Sequence, residues 1–270
     1  HPEYGLSEHL KLQLEALFPD RDIEVINTAI TATNSHVVRE IARAALQYEP
    51  DALVAYLGNN EVVGPFGPGT SFSDFTRTPA MIRLRAWLPI LRCYQLVHRL
   101  AGAGRSPTGT WLGMDMMLQN TVAHDDPRLE TVYLNLAANL ESVAFAASER
   151  DCPLILSTVA VNLYDSAPFG SVHSSQLGEP ARAAWKEHRD EAIRHLAAND
   201  PESALSALEK AAEIDSAPAD LHFLKGKVFA ALGEPEAARE ALSLARDRDV
   251  LRFRADTRIN ATIRDLPKRM

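Results

Sequence analysis

Three stretches of this 270-residue chain gather side chains that could do chemistry. Residues 28–36 hold Thr31, Thr33, Asn34, Ser35 and His36. Residues 58–70 open with Gly58-Asn59-Asn60-Glu61 and continue in a Gly/Pro-rich run, Gly64-Pro65-Phe66-Gly67-Pro68-Gly69. Residues 161–175 hold Asn162, Asp165, His173, Ser174 and Ser175. A hydroxyl beside an imidazole, as in Ser35-His36 or His173-Ser174-Ser175, is raw material for nucleophilic catalysis. Sequence neighbours do not favour the geometry of a Ser–His pair, so turn and capping polarity is the expected use. His188 and His195 stand seven apart among Glu187, Asp190 and Glu191. They could share a helix face, but a solvated repeat surface is expected and no metal site is assigned. Cys93, in an apolar segment, and Cys152, before a buried strand, are expected as packing residues. Two cysteines make neither a disulfide scaffold nor a four-thiolate zinc site.

The elements that must position these loops alternate. Leu6, Leu10, Leu14 and Leu17 have helical spacing, and Pro19-Asp20 ends that helix. Residues 23–27 read as a short strand. Asn34 or Ser35 then caps a helix carrying Val37, Val38, Ile41, Ala45 and Tyr48. The apolar run 52–57 has strand length, and its continuity predicts a strand covered on both faces. Residues 81–100 read as a helix with a break at Pro89, and 102–127 as a long loop with a short helix near 114–120. In His124-Asp125-Asp126-Pro127 an aspartate caps a helix whose apolar face carries Leu129, Val132, Leu136, Leu140, Val143 and Ala147. Residues 154–159 read as another buried strand. This order predicts an α/β layer structure with a parallel sheet, in which the three polar loops sit at the carboxyl ends of strands, where ligands bind.

From about residue 180 alanine becomes frequent and strand-like runs stop. Pro201 and Pro235 are 34 residues apart, as are Ala204 and Ala238, Leu208 and Leu242, and Ala211 and Ala245. That period, with small residues where paired helices touch, is the tetratricopeptide signature. The second copy adds Gly226, Phe229, Leu232 and Gly233; in the first, Ala192 and His195 stand where Gly226 and Phe229 stand. Two hairpins fall short of the roughly three repeats that stand alone, so they are expected to pack on the α/β part.

Composition is that of a globular chain, with 46% hydrophobic and 24% charged residues and a net charge of −8. An acidic chain without a Lys-rich run is a poor nucleic-acid ligand. No apolar run reaches the roughly 18 residues of a membrane span. Between Asp74 and Asp115 there is no acidic residue, while Arg77, Arg83, Arg85, Arg92, Arg99 and Arg105 alternate with apolar side chains. Two readings follow for 77–105: a helix on an anionic membrane surface or acyl groove, or a helix packed on the sheet with arginines reaching to solvent. The first residues, His1-Pro2-Glu3-Tyr4-Gly5, lack the basic start of a signal peptide, and a start other than Met is expected of a piece of a longer chain.

The run Val25-Ile26-Asn27-Thr28-Ala29-Ile30-Thr31-Ala32, followed by a strand ending Tyr56-Leu57-Gly58-Asn59-Asn60-Glu61, resembles the second and third blocks of the GDSL/SGNH hydrolases, in a branch with an inserted tetratricopeptide region. The resemblance covers roughly 1–175 plus the helical insert. Glu61 stands where that family has Asp, and Ala32 where it has Gly. The resemblance implies a three-layer αβα, flavodoxin-like parallel sheet in the order 2-1-3-4-5, incomplete here: 1–178 as the hydrolase-like part, 179–250 as two repeats, 251–270 as a return helix. It implies ester hydrolysis or acyl transfer, with Asn60 and the Ala32 N–H as oxyanion donors and with Gly58, Asn59, Glu61, Asn34 and Ser35 around the substrate. The serine nucleophile would precede residue 1 and the Asp/His block would follow Met270. The central strand would be missing, leaving facing strand edges unpaired. No metal or organic cofactor is implied. Expected partners are a small or acylated substrate, a protein at the repeats and a membrane surface at 77–105, in a bacterial membrane-associated or extracytoplasmic setting. From a different class, the alternative is a non-catalytic interaction module built on the hairpins.

Overall fold

The structure, a computed structural model, describes residues 5–70, 80–82, 84, 88, 91–102 and 120–270. The chain divides into two compact units, residues 1–32 and 33–270.

In the first unit, α1 (Leu6–Leu17) follows the leucine spacing and buries none of its residues. Residues 23–27 do not form the expected strand. A strand exists only through a partner's ladder bonds, and here Asn27 starts a turn instead: its Oδ1 accepts the Ala29 N–H at 2.9 Å and its Nδ2 donates to Ser7 Oγ at 3.2 Å. Ala32 has φ 59°, in the left-handed region that costs a residue with a Cβ roughly 1–2 kcal/mol.

The second unit holds a two-stranded parallel sheet. β1 (Leu53–Tyr56) pairs with β2 (Leu154–Ser157) in the register Leu53 to Leu154 through Tyr56 to Ser157. The crossover includes α3 (Arg92–Gly102) and α4 (Arg128–Ser148). Helix α2 (Ser35–Ala45) packs on α4, as does α9 (Thr257–Asp265). Leu129, Val132, Leu136 and Leu140 of α4 join Leu57, Val62, Val159, Ile259 and Ile263 in one core, against which Ala55, Leu154 and Leu156 pack. The opposite sheet face is open: Val54, Tyr56 and Ile155 are about half exposed. The reading of 52–57 as covered on both faces is thus corrected. Successive strand side chains alternate sides, and the helices packed against this core lie on one side only. A two-layer arrangement of helices on a two-stranded parallel sheet is what the described residues form. The outer edge of β2 borders a groove of about 740 Å³ whose walls include Ala147, Leu156, Ile263 and Leu266.

Gly58 sets the exit of β1. Its φ is +139°, and a Cβ there would lie 2.9 Å from Ile259 Cγ2 and 3.0 Å from Val159 Cγ2. Asn260 of α9 mimics a strand neighbour for Val159, accepting its N–H at 2.8 Å and donating to its carbonyl at 3.1 Å.

The 34-residue period is realised as two antiparallel helical hairpins. The first is α5 (Glu179–Ala197) with α6 (Pro201–Ile214); the second is α7 (Ala219–Ala231) with α8 (Pro235–Asp247). Asp200 caps α6 by accepting the Ser203 N–H at 3.1 Å, with Pro201 in the first turn. Ala192, Ala204, Leu208 and Ala211 are fully buried. At Gly226 a Cβ would sit 2.4 Å from Leu242 Cγ, so this crossing needs glycine; the first hairpin accepts Ala192 at the equivalent place. Among the described residues, no helix is long and apolar enough to cross a membrane.

Of the expected helix 81–100, residues 83, 85–87, 89 and 90 lie outside the described residues, the break expected at Pro89 among them, and of the expected loop 102–127 so do residues 103–119. Within α3, Cys93 is exposed, which corrects its reading as a packing residue, since it sits on an outward stripe of the helix; Cys152 is buried.

Candidate functional site

Polar residues from the loops 28–36 and 58–70 converge at the start of α2. Asn34 occupies the N-cap with extended backbone, yet its side chain does not cap; its Nδ2 donates to the Pro65 carbonyl at 2.6 Å. The orphan N–H of Ser35 goes instead to Glu61 Oε1 at 2.8 Å, and Ser35 Oγ donates to Glu61 Oε2 at 2.7 Å. A carboxylate from a distant loop thus caps the helix, where the backbone dipoles favour negative charge. Asn139 of α4 completes the cluster: its Nδ2 lies 3.0 Å from both Ser35 Oγ and His36 Nδ1. Asn34, Ser35, Glu61 and Asn139 are all buried. Burial pushes the Glu61 carboxyl up to about 7, although both Ser35 bonds pull it down. Chemically this is a buried proton holder poised near neutrality.

Of the residues expected around a substrate, Asn34, Ser35 and Glu61 are therefore brought together. Ser35 donates to a carboxylate rather than to His36, and Asn139 Nδ2 lies within hydrogen-bond distance of both side chains. Asn59 is turned to a structural task, its Oδ1 accepting the Ala255 N–H at 3.3 Å. Asn60 is half-buried, and its carbonyl accepts the Gly64 N–H at 2.7 Å. Gly58 packs against Ile259 and Val159, as above. Ala32 belongs to the other unit. Asn139 is the residue that sequence reading missed. Its only signal is an asparagine at a helix position flanked by core residues, Leu136 and Leu140, where an amide must find a polar partner.

The third loop, 161–175, straps onto the repeats through Asp215. That carboxylate accepts from Ser174 N and Oγ at 3.0 and 2.7 Å, from Ala217 N at 3.0 Å, and pairs with His173 Nδ1 at 2.9 Å. The Trp185 Nε1–H donates to the Asp215 carbonyl at 3.0 Å, and the His173 ring stands edge-on to the indole at 4.7 Å. Burial alone would raise the Asp215 pKa, but these hydrogen bonds outweigh it and hold the group at about 2. His173 and Ser174 are both committed to one carboxylate, which makes them an anchor and not a nucleophile–base pair. His188 lies 3.4 Å from Glu191, and His195 lies 3.5 Å from Asp200 and 3.9 Å from Glu191. Among the described residues, no three metal-ligating groups converge.

The repeats present a different kind of surface. On α5, Lys186, Arg189 and Ile193 follow i, i+3, i+7 spacing; 34 residues later Asp220, Phe223 and Lys227 do the same on α7. The rows meet where Arg189 Nε lies 3.8 Å from Asp220 Oδ2. Trp185, Ala192, Leu221, Gly226 and Val228 fill the buried sides of these helices, leaving Ile193 39% exposed. The strap touches this row at two points. Ser171 Oγ donates to Asp220 Oδ1 at 2.6 Å, and Lys227 Nζ sits 3.2 Å from the Tyr164 ring centre.

Comparison with known proteins finds a match within the repeats. Residues 195–255 match the tetratricopeptide repeat family. No curated protein and no solved structure is found similar to the chain. What is shown is a tetratricopeptide repeat within a chain of mixed helical and sheet structure; the hydrolase resemblance gains no support from these matches.

Proposed function

We propose that the chain is a protein-interaction module, with the paired helices α5 and α7 offering a docking face for a partner peptide. The observation that supports this best is the 34-residue repeat realised as two packed hairpins, of which the part from the last turn of α5 onward, residues 195–255, matches the tetratricopeptide repeat family. Such hairpins bury one side of each helix against the next and leave the other side as a ready-made surface. The row Lys186, Arg189, Ile193, Asp220, Phe223 and Lys227, whose Asp220 and Lys227 end is touched by the 161–175 strap, mixes an apolar centre with both signs of charge, a composition suited to an amphipathic or extended peptide. The alternative chemistry, ester hydrolysis with Asn60 and Ala32 as oxyanion donors, rests on the sequence resemblance of 25–32 and 56–61.

Peptides selected on the full chain from a display library test the reading. Their affinity is expected to fall about tenfold or more in Ile193→Asp/Lys227→Glu, with the helical circular dichroism unchanged. Selected peptides that bind both proteins equally would place the docking face elsewhere.

A further inference from the structure

The arginine-rich segment between Asp74 and Asp115 is not used by the interaction reading, and α3 is its longest continuously described part. On α3, Cys93, Leu96 and Leu100 follow i, i+3, i+7 spacing and make one stripe. Leu96 is 59% and Leu100 73% exposed, and Cys93 is exposed. Arg92 and Arg99, themselves seven apart and exposed, run along one flank of that stripe. Burying such a stripe against the protein's own core is the usual outcome for a helix of this pattern; here it faces outward. The helix has no acidic residue, and the surrounding sequence carries six arginines in a chain whose net charge is −8.

We infer that α3 lies on an anionic lipid surface, its Cys93–Leu96–Leu100 stripe in the acyl boundary and Arg92 and Arg99 among the headgroups. The charge pattern selects this occupant. An acidic chain is repelled by anionic lipid everywhere except where positive charge is concentrated, and leucines beside arginines match the boundary between acyl chains and phosphates. A nucleic acid would match the charge alone, because the exposed stripe offers leucines where a base would need an aromatic platform.

Co-sedimentation of the full chain with vesicles tests this. Vesicles of phosphatidylcholine with phosphatidylserine are expected to retain the protein at low salt and to release it as salt rises, while phosphatidylcholine alone retains far less. Arg92→Ala/Arg99→Ala is expected to weaken partitioning roughly ten- to thirty-fold. Leu96→Asp/Leu100→Asp is expected to abolish it; both pairs are exposed, and unchanged circular dichroism verifies that the variants fold. No retention on anionic vesicles, equal retention on neutral ones, or full retention by either variant would overturn the inference. So would displacement by single-stranded RNA together with indifference to the leucine pair.

Discussion

Replacing Glu61 by Gln should abolish the pH dependence that this buried carboxyl imposes on stability. Its pKa is about 7 in the folded chain against an ordinary 4.5. Below pH 4.5 the group is protonated in both states and contributes no pH dependence. Between 4.5 and 7 the unfolded chain has released the proton while the folded chain still holds it, so stability falls as pH rises. Two and a half pKa units at 1.36 kcal/mol each come to about 3 kcal/mol lost across that window. The loss is complete above pH 7, where the carboxylate is ionised among Asn34, Ser35 and Asn139. Gln keeps an acceptor for the Ser35 N–H and carries no charge, so its curve lacks this fall. Urea unfolding followed by circular dichroism at several pH values from about 4.5 to 8 measures the difference. The stability of E61Q relative to the parent is expected to rise by about 3 kcal/mol over the range. Comparing the two curves cancels other titrating groups. Parallel curves would refute the reasoning, because they would mean that Glu61 is solvated in the folded chain.

Asp215→Asn should act in a separate window and with the opposite sign. The depressed pKa contributes about 2 kcal/mol above pH 4 that the parent loses as pH falls through 2, and the variant should lack this acid-limb loss in urea titrations. Gly226→Ala should destabilise by about 1–3 kcal/mol, read as a lowered Tm, because the new methyl meets Leu242. Ala32→Gly should stabilise by up to about 1 kcal/mol in the same assay by relieving φ 59°.

The repeats were the most legible part of the sequence. Identical offsets of Pro, Ala and Leu at 34 residues encode helix pairing directly, and Gly226 marks the tight crossing. Both strands of the second unit were legible too, because short apolar runs bounded by Gly58 and by Ser157-Thr158 leave few alternatives. What could not be read was how each strand is covered. An unbroken run such as Leu53–Tyr56 carries no period, so it cannot say that Ala55 meets α4 while Val54 and Tyr56 face outward. Residues 23–27 looked like a strand because local pattern is blind to the absence of a ladder partner. In the Glu61 cluster the residue types were visible and their use was not. Asn34 or Ser35 is the cap that local pattern offers for α2, but the Glu61 side chain does the capping across 26 residues, and Asn139 enters from 104 residues away. Contacts at that separation leave no local signature.

Amide hydrogen exchange of the full chain, with and without a display-selected peptide, tests the interaction reading most directly. Slowed exchange is expected in fragments covering Lys186–Ile193 and Asp220–Lys227, with little change in β1, β2 and α4. Protection confined to the Glu61 cluster or to the open face of the sheet, with the two repeat helices unaltered, would contradict it.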